Sequence, residues 1–348
     1  MLKYNKIEMF RFMAQLLHPI AVVDTSYLPA PQIFWDRLVQ LGSSQLVLPA
    51  IYGALKRKKL IVHVPKDLVC YLQEIRDLNQ KRNTAILKQI TFLSEIFNRH
   101  QIEHVFIKGA AILIIKPYEA LSDRMVGDID VLVSEKDLLR AQQLLMDEGF
   151  EEVSKNYDFT KDLDSSKHLK RIVHPNFIAA VEIHRKLLDL TLKKPILSTE
   201  VLEDKTQNPN MIYIPSRKHL WQHAILNWQY NDSGIIRNTL AFRSVLDVIN
   251  LEHKNVLTKI KKAHYAIKHF YSLLSLYYDN YYTYHPFSKL RYKWQLNYKF
   301  YNKLNSLYFK LHYLFNVGFI RLRSKVYRKR VLNHPQILWQ RILNFWKK

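Results

Sequence analysis

The chain has 348 residues, 48% of them hydrophobic, and a formal net charge of +23 from 53 Lys and Arg against 30 Asp and Glu. That hydrophobic content excludes a disordered polymer and allows two domains, or one core with a large extension. A single cysteine, Cys70, excludes an internal disulfide framework and any cysteine-based zinc site, which fits a reducing cytoplasm. Polar and charged residues break the apolar runs near the N-terminus, and no stretch approaches the ~18 apolar residues that span a bilayer. The expected location is therefore cytoplasmic, with attachment to the inner face of a membrane as the one alternative.

The charge is unevenly placed. Residues 251–348 hold 20 Lys and Arg against Glu252 and Asp279, a net +18, which leaves +5 for the first 250. A nearly balanced body is thus joined to a basic, tyrosine-rich C-terminal third, a composition that attracts polyanions or simply forms a solvated surface. Seven glycines in the whole chain predict a mostly helical protein with few tight turns.

Along the chain, residues 1–99 read as a helical region. Leu68, Tyr71, Leu72, Ile75 and Leu78 recur at helical spacing, and 67–98 is one long helix or two, assigned to packing. The pattern changes at Glu103: His104 to Ile107 is β-prone, Lys108-Gly109 ends it, and an apolar helical segment runs to Ile115. Asp128 to Val133 reads as a strand with a buried second half. Ser134 with Asp137 resembles a capping box for a helix whose buried stripe is Leu138, Leu139, Leu144 and Leu145, and Gly149 stands where a helix C-terminal glycine belongs. Two β-prone runs, 169–173 and 177–184, flank a His174-Pro175-Asn176 turn. After Pro215 helical spacing returns, through Leu220, Ala224 and Leu226, then Leu240, Val245, Leu246, Val248 and Ile249; His223 and Trp221 read as packing.

The chemistry concentrates where acids stand on strands. Alternation puts Asp128 and Asp130 on one face of their strand, where two like charges repel and a divalent cation relieves the repulsion. Oxygen ligands of this kind suit Mg²⁺ or Mn²⁺. Glu182, in Val181-Glu182-Ile183-His184, is the expected third acid, with Glu151, Glu152 and Asp158 as nearby alternatives; His184 reads as a supporting residue. Lys108-Gly109-Ala110 lies at a strand-to-helix junction where free N–H groups meet phosphate, and Lys108 and Arg124 are candidate phosphate counter-charges.

At these residues the chain resembles the DNA polymerase β-like nucleotidyltransferase superfamily, with its glycine turn, Asp-x-Asp strand and third acid on a neighbouring strand. More narrowly it is similar to a bacterial family of largely uncharacterised nucleotidyltransferases, through Ile107-Lys108-Gly109, Arg124, Asp128 to Val133, Gly149-Phe150 and Glu182-Ile183-His184. The resemblance covers about residues 100–190, and Leu246-Asp247-Val248-Ile249 matches it more weakly. It implies an α+β fold, a small mixed-sheet core over 100–214 flanked by helical regions at 1–99 and 215–348. It also implies transfer of NMP from an NTP, ATP foremost, to an acceptor hydroxyl on a small molecule, protein or RNA, with Asp128, Asp130 and Glu182 holding metal. Ala110 departs from the serine that many members place against phosphate, and the Gly109-to-Asp128 gap is longer than usual.

Two rivals stand beside this reading. A sugar-nucleotide glycosyltransferase also uses Asp-x-Asp for its metal, but the helical first hundred residues lack the βαβ series such a fold needs. A non-catalytic module would keep the scaffold and bind nucleic acid or an anionic membrane through residues 251–348, where aromatics alternate with cations and Arg321, Arg323, Lys325, Arg328, Lys329 and Arg330 cluster. An ordinary helical bundle accounts for the same composition. Replacing Asp128 and Asp130 together by Asn is expected to abolish transfer and leave thermal stability near wild type.

Overall fold

The computed structural model describes residues 6–26, 28–153, 167–188, 195–237, 239–252 and 263–278, with isolated positions at 307, 311, 328 and 332. Asp158 and most of residues 251–348 lie outside the described residues. Three helices open the chain, α1 (Lys6–Leu17), α2 (Gln32–Ser44) and α3 (Leu48–Arg57), followed by α4 (Lys66–Arg99). The 67–98 segment is one helix of 34 residues. It starts after Pro65 with Asp67 in its first turn, contains no Gly or Pro, and ends where Gln101 turns left-handed at φ 53°. Its buried Ile86, Ile90, Leu93 and Phe97 recur every three or four residues and face a sheet.

That sheet has five strands in the order β1-β2-β5-β4-β3: β1 (His104–Ile107), β2 (Asp128–Val133), β3 (Glu151–Glu152), β4 (Ile172–Val173) and β5 (Ala180–His184). β2 pairs antiparallel with β1 and parallel with β5, so the sheet is mixed, as expected. The parallel register sets Asp130 opposite Glu182. α5 (Lys108–Ile115) leaves β1 directly, and α6 (Leu138–Asp147) follows β2. Gly149, at φ +91°, ends α6 in the left-handed region as its sequence position predicts.

Local readings are adjusted in three places. Ser134 Oγ donates to Asp137 Oδ2 at 2.9 Å instead of capping backbone, because a 3₁₀ turn over Glu135–Asp137 separates it from α6. Leu139 is 59% exposed, and Ala141 takes its place on the buried stripe. The two β-prone runs pair only over Ile172–Val173 and Ala180–His184. The hairpin of β6 (Lys205–Gln207) and β7 (Tyr213–Pro215) has three-residue strands, too short for alternation to reveal.

The two faces of the sheet carry different cores. Ile129, Val131, Val133, Val181 and Ile183 pack with α4 and α6. Val105, Ile107 and Leu132 face a second layer built from α1 to α3 together with α8 (Arg217–Leu226), α10 (Phe242–Leu251) and α11 (Tyr265–Leu274). Between these helices lie the short α7 (Ser198–Glu203) and α9 (Gly234–Arg237). By strand alternation Asp128 and Asp130 share the face of Leu132, so the acids look toward this helical layer. Helices from the first and last parts of the described chain therefore share one core, over the face that carries the chemistry.

α4 does more than pack. Asn79 Nδ2 donates to the carbonyls of Ser122 (2.6 Å) and Arg124 (3.1 Å), and Asn83 Nδ2 to those of Leu121 and Arg124 (both 2.7 Å). Arg82 bonds the carbonyls of Val126 and Gly127, each at 3.0 Å. Gln89 exchanges two bonds with the backbone of Ala179, at the entry to β5. One helix thereby holds the approaches to both acid-bearing strands. Asn83→Ala is expected to lower stability by about 1–3 kcal/mol, since it takes this donor from the Leu121 carbonyl and leaves the Arg124 carbonyl to Asn79 alone; urea unfolding checks this, and a midpoint equal to wild type contradicts it.

Candidate active site

Asp130 is the centre of the cluster. It is 2% exposed, and its Oδ1 accepts from Lys108 Nζ at 2.6 Å and from His184 Nε2 at 2.7 Å. Burial alone would push its carboxyl up, but the His184 bond and the Lys108 charge outweigh burial and hold it well below the usual carboxylate range. Lys108 is held in place by backbone as well: its φ is 52°, a left-handed conformation that a lysine adopts only where its surroundings fix it.

Glu182 lies beside Asp130, as the sequence predicts. Burial opposes its ionisation, yet the His184 ring 3.6 Å away and the hydrogen bonds from Arg171 bring its pKa down to about 2. Asp128 behaves in the opposite way. Its pKa is raised by burial and by the neighbouring charges of Asp130 and Glu182. Arg171, which the sequence reading passed over, spans two of the three acids: its Nη2 donates to Asp128 Oδ2 at 3.0 Å and to Glu182 Oε1 at 2.7 Å. Of the alternative third acids, Glu152 pairs with Lys170 at 2.6 Å and Glu151 is exposed, so neither takes part.

Among the described residues three side chains of the cluster could hold a metal ion, and Asp128 is not one of them. One ligand atom each of Asp130, Glu182 and His184 lie within 4.8 Å of one another. Asp128 and Glu182 already share a cation in the Arg171 guanidinium, which marks the point between them as one where positive charge is stabilised. His184 is fully buried, its Nε2 is directed at Asp130, and its Nδ1 has no partner. The Nε2 contact ties the His184 ring to the Asp130 carboxylate.

Beside the acids a cavity of about 190 Å³ opens between β2 and the helical layer, lined by Lys108, Gly109, Asp128 and Asp130 on one side and by α8 and α10 on the other. The chain after α8 continues as a π-helical turn, Asn227–Asn231, whose Asn227 and Asn231 join the lining. Such turns widen a helix locally and often mark functional sites. Gly109 is tightly seated: a Cβ there would meet the Val126 methyls at 3.1 and 3.2 Å. The Ala110 methyl is fully buried in the core below the sheet, so what this segment offers a ligand is the backbone of the first turn of α5.

Arg124 also lines the cavity, but its donors turn into the wall. Nε and Nη2 bond Asp247 Oδ1 and Oδ2, both at 2.7 Å, and Nη1 donates to the Met125 carbonyl. The Tyr118 hydroxyl donates to Asp247 Oδ1 at 2.7 Å. The group ties the loop before β2 to α10. Asp247, inside the Leu246–Ile249 match, gains its meaning only from this contact.

His223, read from sequence as packing, stands in the cavity wall instead. It is 3% exposed, its Nε2 has no partner, and burial, followed by the Lys108 charge, brings its pKa down to about 3. His104, under the sheet edge, is brought to about 4 by burial. Both depressed values mean that the unfolded chain binds protons which the folded chain refuses. Stability is thus expected to fall as pH drops from about 6.5 toward 4, by up to ~1.4 kcal/mol per unit for each group. Melting temperatures between pH 7.5 and 5 test this; a flat profile contradicts it.

The site is thus an acidic cluster on adjacent strands beside a cavity lined by cations, a group of residues that could hold a metal ion. A family model described as uncharacterised nucleotidyltransferase matches residues 31–256, and the chain belongs to that family. The matched span begins at α2 and ends just past α10, so it includes every residue that lines the cavity. No curated protein matches the chain. Among the described residues no helix is long and apolar enough to cross a membrane.

Proposed function

We propose that the protein transfers a nucleoside monophosphate from an NTP to an acceptor hydroxyl. The observation that carries this reading is the convergence of Asp128, Asp130 and Glu182 from parallel neighbouring strands, with the family membership in support. Asp128, Asp130 and Glu182 would hold Mg²⁺ or Mn²⁺, which supplies charge neutralisation for the triphosphate and lowers the acceptor hydroxyl's pKa. The chain's own residues do the positioning. Lys108 and His184 fix the rotamer of Asp130 and keep it ionised, and Arg171 must release Asp128 and Glu182 when a cation enters. Within the cavity the acceptor oxygen forms its bond to the α-phosphorus while the bond to pyrophosphate breaks, and the hydroxyl proton passes to a carboxylate.

ATP is the first substrate to test, and the acceptor is a small molecule, a protein side chain or an RNA end. Incubation with each α-labelled NTP and a cell extract identifies both. Label fixed on a macromolecule or metabolite, dependent on Mg²⁺ or Mn²⁺, is the expected result. No metal-dependent label with any NTP would leave the non-catalytic module as the better reading.

A further inference from the structure

We infer that Arg243, at the start of α10, is the residue that grips the triphosphate, so that the helical layer and not the sheet holds the phosphate tail. The inference rests on the proposed nucleotide site and adds a binding residue that the sequence motifs do not contain.

The argument begins with which cations in the cavity are already committed. Lys108 is bound to Asp130 and Arg124 to Asp247. Arg243 lines the same cavity, and among the described residues it makes no hydrogen bond or ion pair. The nearby acids are engaged elsewhere: Asp247 by Arg124 and Tyr118, Asp128 by Arg171, and Asp232 by the Asn227 amide at 3.2 Å. Burial, and then the like charge of Arg124, weaken the hold of Arg243 on its proton. A partly buried guanidinium that feels the like charge of a second one is unfavourable until an anion arrives.

Two further features fit a phosphate there. Arg243 and Ser244 stand in the first turn of a ten-residue helix with no side-chain cap, whose N-terminus favours negative charge. Independently, His223 lines the cavity with an unpartnered, buried Nε2. Its other nitrogen bonds the Leu187 backbone, so Nε2 carries a lone pair that awaits a hydroxyl or amine hydrogen. A nucleoside triphosphate satisfies both groups, with its phosphates at one point and a ribose hydroxyl or base amine at another.

Wild type, Arg243→Ala and Arg243→Lys should be titrated calorimetrically, in Mg²⁺, with inorganic tripolyphosphate, with each of the four NTPs and with the NMP of the tightest one. Arg243→Ala is expected to weaken tripolyphosphate and NTP binding roughly 10- to 100-fold, with Arg243→Lys intermediate and NMP affinity changed less than about 3-fold. Tripolyphosphate binding by Arg243→Ala within about 2-fold of wild type would overturn this assignment and leave the nucleotide site standing. Equal losses for NMP and NTP together with a lowered melting temperature would also overturn it, by showing a structural role. A wild-type protein that binds neither tripolyphosphate nor any NTP would overturn the assignment and the nucleotidyltransferase reading together.

Discussion

Asp128→Asn should lose at least ~100-fold in metal-dependent transfer and keep the wild-type melting temperature. Asp128 is the least buried of the cluster's two aspartates, and burial and the charges of Asp130 and Glu182 already raise its pKa, so neutralising it relieves repulsion in the folded state. Its ion pair with Arg171 is partly exposed and shared with Glu182, which keeps the guanidinium satisfied. Asp130→Asn behaves differently. An amide oxygen can still accept both bonds but carries no charge, so Lys108 and His184 would be left in the site without their anion. That change is expected to remove activity and also destabilise the fold by about 3–5 kcal/mol. The double replacement considered from the sequence is accordingly expected to cost stability through Asp130 and not through Asp128. Paired assays of transfer and thermal melting on the two single variants make the test. Transfer by Asp128→Asn at the wild-type rate would displace the site.

The second large effect lies away from the acids. Arg124 and Asp247 form a bidentate pair with both side chains more than nine-tenths buried, and Tyr118 adds a third bond. Asp247→Ala strands the guanidinium and Arg124→Ala strands the carboxylate; each is expected to cost about 3–5 kcal/mol in chemical unfolding. Replacing both, Arg124→Met with Asp247→Leu, should recover a good part of that loss, because no buried charge remains. The double variant should nonetheless bind nucleotide poorly, since the pair fixes α10 against the loop before β2. A double variant as unstable as the single ones would contradict the assignment of the loss to unpaired charge.

Much of the site was legible because it is written on short stretches. Asp128, Asp130 and Glu182 declare themselves by alternation in apolar strands, and Lys108-Gly109 by the strand-to-helix junction. Gly149 shows itself by the helix before it. What sequence left dark depends on contacts between distant segments. Arg171 and His223 stand in stretches whose local pattern gives β pairing and helix packing; their meaning comes from facing Asp128 and the cavity. Asn79, Arg82, Asn83 and Gln89 look like the polar residues of any long helix until the backbone of 121–127 and Ala179 is seen to bond to them. The partnership between helices before the sheet and helices after it has no local signal at all, because both sets carry the same apolar spacing.

That partnership has a consequence for how the molecule is made. Arg11 Nε bonds the Leu276 carbonyl and the Tyr278 hydroxyl bonds the Ala14 carbonyl, closing contacts across more than 260 positions. During synthesis the strands and α4 can assemble as soon as they emerge, whereas α1 to α3 must wait for α8, α10 and α11 to bury their shared apolar surface. The acidic strands thus form early and stand open to water, and the chamber that would admit a nucleotide is finished only when the late helices dock.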